Sequence, residues 1–167
     1  GSGSVGMIGI SWGGFNGLQI AARRPPALKA VISLCSTVDR YNEDVHFMGG
    51  CLLNDNMDWG SAFFTFGALP PDPKMVGGKK WKQMWKTRID GLDLYPALWM
   101  GHQRRDAFWK HEAVQEDYDL IQCPVLAVSG WADGYPTAVF KLIENLNTPS
   151  KGIIGPWVHQ YPHMAAP

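Results

Sequence analysis

No apolar run in the 167-residue sequence approaches the roughly 20 residues that span a bilayer, and the N-terminus has no basic stretch leading into an apolar one. A soluble, cytoplasmic chain is the expectation, with no membrane partner. Net charge is lacking too: Lys plus Arg is 15 and Asp plus Glu is 15, without the basic excess that phosphate-backbone binding needs. Nucleic acid is therefore not an expected partner. Cysteine is scarce, and Cys35, Cys51 and Cys123 are odd in number and widely spaced, which fits neither a disulfide framework nor a CxxC-type zinc site. No HExxH or Walker pattern is present, and no GxGxxG opens a helix. His159 and His163 are four apart, but Pro162 interrupts any helix between them, so neither metal nor cofactor is expected.

Tryptophan, glycine and proline are abundant instead, at 8, 19 and 12 residues, and 46% of the chain is hydrophobic. That is enough for one respectable core, and tryptophan suits aromatic-walled concave surfaces. Val5 to Ile10 reads VGMIGI, a strand buried on both faces. A sharp turn follows at Ser11-Trp12-Gly13-Gly14, then a helix with Phe15, Leu18, Ile20 and Ala22 near helical spacing, ended by Pro25-Pro26. AVISLC at 30–35 is a second buried strand, so the two are read as parallel neighbours joined by a right-handed crossover. The pattern restarts at Pro124 with the strand PVLAVSGW, the turn ADGYP, a helix carrying Val139, Leu142, Ile143 and Leu146 on one face, and a short strand at 151–154.

Between these halves, residues 36–122 have another texture, with many aromatics, Gly and Pro breaks and short helical stretches. That length exceeds any ordinary loop. The chain is read as a three-layer α/β domain with a mostly parallel sheet, its core being 1–35 plus 123–167, interrupted by an inserted helical cap at 36–122. Ligands in such sheets bind at the carboxyl ends of the strands. Lys74 to Arg88 is basic without an acid and reads as a solvated helix face with Trp81 and Trp85 turned inward.

Gly9-Ile10-Ser11-Trp12-Gly13 is a GxSxG pentapeptide between a strand and a helix, the context in which a strained turn lifts a serine hydroxyl clear of the sheet. The flanking glycines are expected to remove β-carbons that would collide there. A serine hydroxyl needs a base, and the base needs an orienting carboxylate. Asp133 follows the PVLAVSGW strand and His159 follows KGII, so Ser11, Asp133 and His159 share one rim of the sheet, in the chain order of α/β-hydrolases. For Asp133 a turn or N-cap role competes. His163 is the nearest rival for the base, with His46, His102 and His111 farther off. The Trp12 amide, next after the nucleophile, is the expected oxyanion donor. A non-catalytic binding or assembly module is the alternative from another class.

GMIGISWGGFNGLQIAA, DRYNEDVHFMGG, CPVLAVSGWADGY and IGPWVHQ resemble, in this order, the cocaine esterase and Xaa-Pro dipeptidyl-peptidase group of α/β-hydrolases. The resemblance implies Ser11 as nucleophile, Asp133 as its acid, His159 as its base, and a cap at about 36–122. Members of that group carry four further strands before the nucleophile strand and a jelly-roll domain after the histidine. The 167 residues therefore correspond to a central slice with half the sheet. The second oxyanion donor would lie upstream, and its loss implies weak activity, at about 2.7 to 4 kcal/mol per donor. An open β1 edge implies self-association. The substrate is expected to be a small ester, amide or peptide. Asp39, with Glu43 and Asp44, is a candidate for binding a peptide α-ammonium or a structural acid, and Trp131 and Trp157 for lining an acyl pocket or packing the core.

Overall fold

In the computed structural model, which describes residues 1–165, the elements in chain order are β1 (Val5–Ile10), α1 (Trp12–Ala22), β2 (Leu28–Leu34), β3 (Phe47–Met48), β4 (Cys51–Leu52), α2 (Asp55–Ala68), α3 (Pro73–Val76), α4 (Trp81–Asp90), α5 (Tyr95–Gly101), α6 (Ala107–Lys110), β5 (Val125–Gly130), α7 (Pro136–Asn145) and β6 (Ser150–Gly155). Four strands form a sheet in the order β1-β2-β5-β6, and every neighbouring pair is parallel. The register places Ile10 beside Leu34, Leu34 beside Val128, and Val128 beside Ile153. The carboxyl ends of all four strands thus lie along one edge. β3 and β4 form a separate two-stranded ribbon.

The apolar run at 125–130 becomes a strand buried on both faces by its neighbours, whereas the run at 5–10, read as equally buried, forms the end strand of the described sheet and leaves Val5 and Ile8 exposed. On one face, Leu18 and Ala21 of α1 join Val31, Val125 and Ala127 of the sheet and Val139, Leu142 and Leu146 of α7 in a single cluster. Both crossover helices therefore cover the same side, as crossovers of one hand advancing in one direction across a sheet must. Each such buried aliphatic contributes about 1.5–3 kcal/mol. On the other face, Leu34, Cys35 and Val128 pack with Tyr135, Trp157 and Tyr161, while Ile8 of the outer strand is 64% exposed. The two helical stripes differ in detail from the spacing argument. Ile20 and Ile143 are exposed, because in α1 the stripe runs through Phe15, Leu18 and Ala21 and in α7 through Val139 and Leu142. α1 ends at Ala22 with Arg23 as its cap, and Arg24 then takes a left-handed φ of 53° and donates to the carbonyls of Leu120 and Asp119 at 2.8 and 3.0 Å, ahead of Pro25-Pro26. Pro136 opens α7, where a missing N–H costs nothing.

The chain divides into two compact units, one being Gly1–Cys51 with the stretch from Arg105 onward, the other Leu52–Arg104. In the larger unit the segments on either side of the division, 36–51 and 105–122, are organised around Asp39 and Trp109. Trp109 is buried against Tyr41, Phe47 and His46. The smaller unit is helical. Gly60 of α2 meets the ring of Pro96 of α5 so closely that a β-carbon there would lie 1.9 Å from it, and Phe63 contacts Tyr95 and Trp99 edge-on. Trp81 and Trp85 stack on each other at 6.0 Å, and Trp85 donates to the Ala68 carbonyl at 2.7 Å. No helix among the described residues is long and apolar enough to cross a membrane.

Candidate active site

Ser11 stands at the carboxyl end of β1 with φ 57° and ψ −124°. This is the left-handed region that a side chain rarely adopts, and holding it costs on the order of 1–3 kcal/mol. The turn is fixed from both sides. Ser11 N–H donates to the Leu34 carbonyl at 2.8 Å, and the Ser11 carbonyl accepts from Phe15 N–H at 3.0 Å. Gly9 permits the closeness of strand and helix, since a β-carbon there would lie 2.3 Å from the Gly13 carbonyl carbon. Gly13 does not share this role. A β-carbon on it would meet nothing within 4 Å, so the collision expected of both glycines belongs to Gly9 alone.

The residue after β5 meets the residue after β6. His159 Nδ1 lies 2.9 Å from Asp133 Oδ1. Asp133 is clasped further by the Ser129 hydroxyl, which donates to Oδ2 at 2.8 Å, and by Gly134 N–H, which donates to Oδ1 at 2.7 Å. Burial acts to raise the Asp133 pKa, but the hydrogen bonds from His159, Cys35 and Ser129 outweigh it and hold the carboxyl below its ordinary range. The competing N-cap role is not what the structure assigns: Tyr135 occupies the cap position of α7 and no side chain caps it. His163 lies against Tyr161, and His46 accepts from Arg40 at 2.9 Å, so it is His159 that meets the acid.

Strands spaced about 4.8 Å apart put β6 roughly 14 Å from β1, so the loop after β6 has to travel back across the sheet edge. It does. The Trp157 carbonyl passes over the end of β5, where a β-carbon on Gly130 would lie 1.9 Å from it, and it accepts from Ala132 N–H at 3.2 Å. The Gln160 carbonyl then reaches the thiol of Cys35, 3.9 Å away, at the end of β2. Ser11 is bonded to Leu34, the residue before Cys35. His159 is thereby carried to the strand adjoining the one that bears Ser11.

A second chain of contacts joins the two sides of the site. The Arg40 guanidinium lies over the Trp12 ring at 4.6 Å and the Phe15 ring at 5.0 Å and pairs with Asp44. Tyr135 OH donates to Asp44 at 2.8 Å, and the Tyr135 ring is 5.6 Å from that of His159. Burial, reinforced by Asp44, pushes the Tyr135 phenol far up, so it stays a donor. Sequence reasoning did not single out Ser129, Cys35, Tyr135 or Arg40. The available signal was a polar residue inside a buried run, as Ser129 is in VLAVSG, which must find a partner.

The remaining candidates are placed differently. Asp39 is 0% exposed and accepts from Tyr41 N, Asn42 N, Asn42 Nδ2, Arg105 Nε and Gln115 Nε2. With five donors converging on it, Asp39 ties the segments around it together. Glu43 pairs with Lys141 at 2.9 Å, and Asp44 with Arg40. Trp157 packs into the cluster on the far face. Trp131 is 64% exposed, but it lies beside Phe140 of α7, on the outer side of β6. Trp12 opens α1, at the positive end of the helix dipole. His159, Asp133 and Cys35 also offer three donor atoms within 4.8 Å of one another.

A parallel sheet with crossover helices, a left-handed serine at a strand-to-helix turn and a histidine–aspartate pair at the same edge define the α/β-hydrolase class of fold. Residues 1–161 match the X-Pro dipeptidyl-peptidase (S15) family, and the chain belongs to it. It is 23% identical over 180 residues to the cocaine esterase of Rhodococcus sp. (strain MB1 Bresler), covering 94% of this chain and 31% of that protein. Among solved structures, a CocE/NonD family hydrolase from Staphylococcus aureus superposes with a TM-score of 0.67 at 23% identity, over 92% of this chain and 24% of that one. An aminopeptidase from a marine sediment Thaumarchaeota archaeon gives 0.60 at 22% identity, over 94% and 29%. The chain thus spans less than a third of each of these proteins.

Proposed function

We propose that this chain carries the catalytic centre of a serine hydrolase that cleaves an acyl ester or amide through an acyl-enzyme. The observation that supports the reading most is the 2.9 Å bond between His159 Nδ1 and Asp133 Oδ1, at the sheet edge where Ser11 turns. With Nδ1–H donated to Asp133, the Nε2 lone pair of His159 is the base. It takes the Ser11 hydroxyl proton as Oγ attacks the substrate carbonyl carbon. Negative charge that develops on the carbonyl oxygen is met by the Trp12 N–H at the start of α1. His159 then returns the proton to the leaving group, and water, deprotonated in the same way, releases the acid and regenerates Ser11. Asp133 fixes the tautomer and offsets the charge of the imidazolium.

The chemistry suits esters better than peptides with a free N-terminus. Each acid considered for an α-ammonium already has a cation: Asp39 has Arg105, Glu43 has Lys141 and Asp44 has Arg40. Taking one of these for substrate costs an existing ion pair to a half-buried cation. A fluorophosphonate probe tests the nucleophile without knowledge of the substrate. Labelling of the chain, lost in Ser11→Ala and His159→Gln, is expected; equal labelling of Ser11→Ala overturns the reading. A nitrophenyl ester turned over faster than a Gly-Pro anilide is the expected order of substrates.

A further inference from the structure

We infer that Cys35, Asp133 and His159 form an inhibitory site for a thiophilic divalent cation of the zinc class. Cys35 stands at the end of β2 with a left-handed φ of 45°, fully buried, with its thiol turned to the Gln160 carbonyl at 3.9 Å. Its Sγ, a carboxylate oxygen of Asp133 and a ring nitrogen of His159 all lie within 4.8 Å of one another. A tetrahedral zinc ion with bonds of about 2.0–2.3 Å holds such donors about 3.5 Å apart. The three therefore need to close by about 1.3 Å at most, within the reach of side-chain rotation. Sulfur, nitrogen and oxygen are the donor types that select zinc over magnesium or calcium. A thiolate and a carboxylate neutralise a dication in this low-dielectric edge. The Ser129 hydroxyl and Gly134 N–H hold the carboxylate from behind, the support that metal ligands ordinarily receive. The His159 side chain is 42% exposed, which leaves a path for the ion and a fourth position for water.

Binding is a balanced proton exchange. The Cys35 thiol loses its proton to solvent as sulfur bonds the cation. His159 gives its Nδ1 lone pair to the metal, and its proton is carried on Nε2. The imidazole is inverted by that change: the nitrogen that would serve as base now holds a hydrogen. The ion therefore silences the base directly, and this consequence rests on the hydrolase reading. The binding itself does not.

Cobalt(II) titration of the full chain in a Cys51→Ser background separates the two. A thiolate-to-cobalt charge-transfer band is expected, displaced by zinc, and lost in Cys35→Ser and in His159→Gln, whose side chain is exposed. Circular dichroism verifies that each variant is folded. Loss of either ligand is expected to weaken binding by more than the 10–100-fold that removing an outer partner of a metal ligand costs. If fluorophosphonate labelling occurs, zinc is expected to suppress it at the concentration that displaces cobalt. No charge-transfer band, or one unchanged in Cys35→Ser, overturns the site. A band that appears without any labelling keeps the site and sinks the hydrolase reading alone.

Discussion

Replacing each glycine of the GxSxG turn by alanine should move stability in opposite directions. At Gly9 the new β-carbon would stand 2.3 Å from Gly13 C, 2.4 Å from its carbonyl oxygen and 2.8 Å from its Cα. All three are backbone atoms, so no side chain can rotate away. To reach ordinary contact near 3.4 Å, β1 and the first turn of α1 must part by about 1 Å. They are tied by the Ser11–Leu34 bond and by Gly14, where a β-carbon would already lie 2.9 Å from the Leu34 carbonyl. Overpacking a core costs about 1–3 kcal/mol, and a clash of backbone against backbone belongs at the upper end. At Gly13 nothing lies within 4 Å and φ is not left-handed, so Gly13→Ala gains helix propensity and loses unfolded-state entropy, worth about 0.4–1 kcal/mol of added stability. Urea denaturation is the assay. With m near 2 kcal/mol/M, the midpoint should fall by about 1.5 M for Gly9→Ala and rise slightly for Gly13→Ala. Equal shifts in the two variants would refute the steric argument.

Three further outcomes follow from the same geometry. Ser11→Gly relieves a left-handed side chain and should raise stability by about 1 kcal/mol while abolishing probe labelling; a loss of stability would remove strain from the account of the turn. Asp39→Ala leaves Arg105 with Glu116 as its remaining partner and the buried N–H groups of Tyr41 and Asn42 and the Gln115 amide unserved, for a loss of about 3 kcal/mol, whereas Asp90→Ala, which breaks the exposed pair with Lys86, should stay within about 0.5 kcal/mol. Asp133 is held below its ordinary pKa, so its ionised form favours the fold. That stabilisation is complete above the unfolded carboxylate value near 4 and is lost as pH falls through the lower folded value. The stability gap between the wild type and Asp133→Asn should therefore narrow as pH drops from about 6 to about 3, and a gap that widens would overturn the sign.

Much of the sheet is legible in the sequence because a short apolar run reads as a strand, as in VGMIGI and VLAVSG, but the burial expected of both faces holds for VLAVSG and fails for VGMIGI, where Val5 and Ile8 are exposed on the end strand. The turn at Ser11 is legible for the same kind of reason, since strand, serine and helix follow within a few residues. Details that depend on what faces what are less so. Ile20 and Ile143 carry the right hydrophobicity for a stripe, yet each stays exposed while Leu18 and Leu142 join the buried cluster. Residue type also says nothing about saturation. Asp39 is an acid near the expected site, but five donors converge on it, and only tertiary structure supplies Arg105 and Gln115. Trp131 and Trp157 adjoin the candidate acid and base in the chain and still turn elsewhere, one to α7 and one into the core.

Proximity to a strand end is the weakest link in reading the site from the chain, because the edge of a four-stranded sheet is itself about 14 Å long. Shared rim does not mean contact. What converts one into the other is the loop 156–160, which returns over β5 and β2, and that return requires an end of β5 without a side chain. Gly130 supplies it, with the Trp157 carbonyl where a β-carbon would be. The glycine lies in no catalytic motif, yet any side chain there would push the loop outward and draw His159 from Asp133. The SG and GPW dipeptide and tripeptide at 129–130 and 155–157 thus act as one steric unit across two strands, and it is this unit that brings His159 to Asp133.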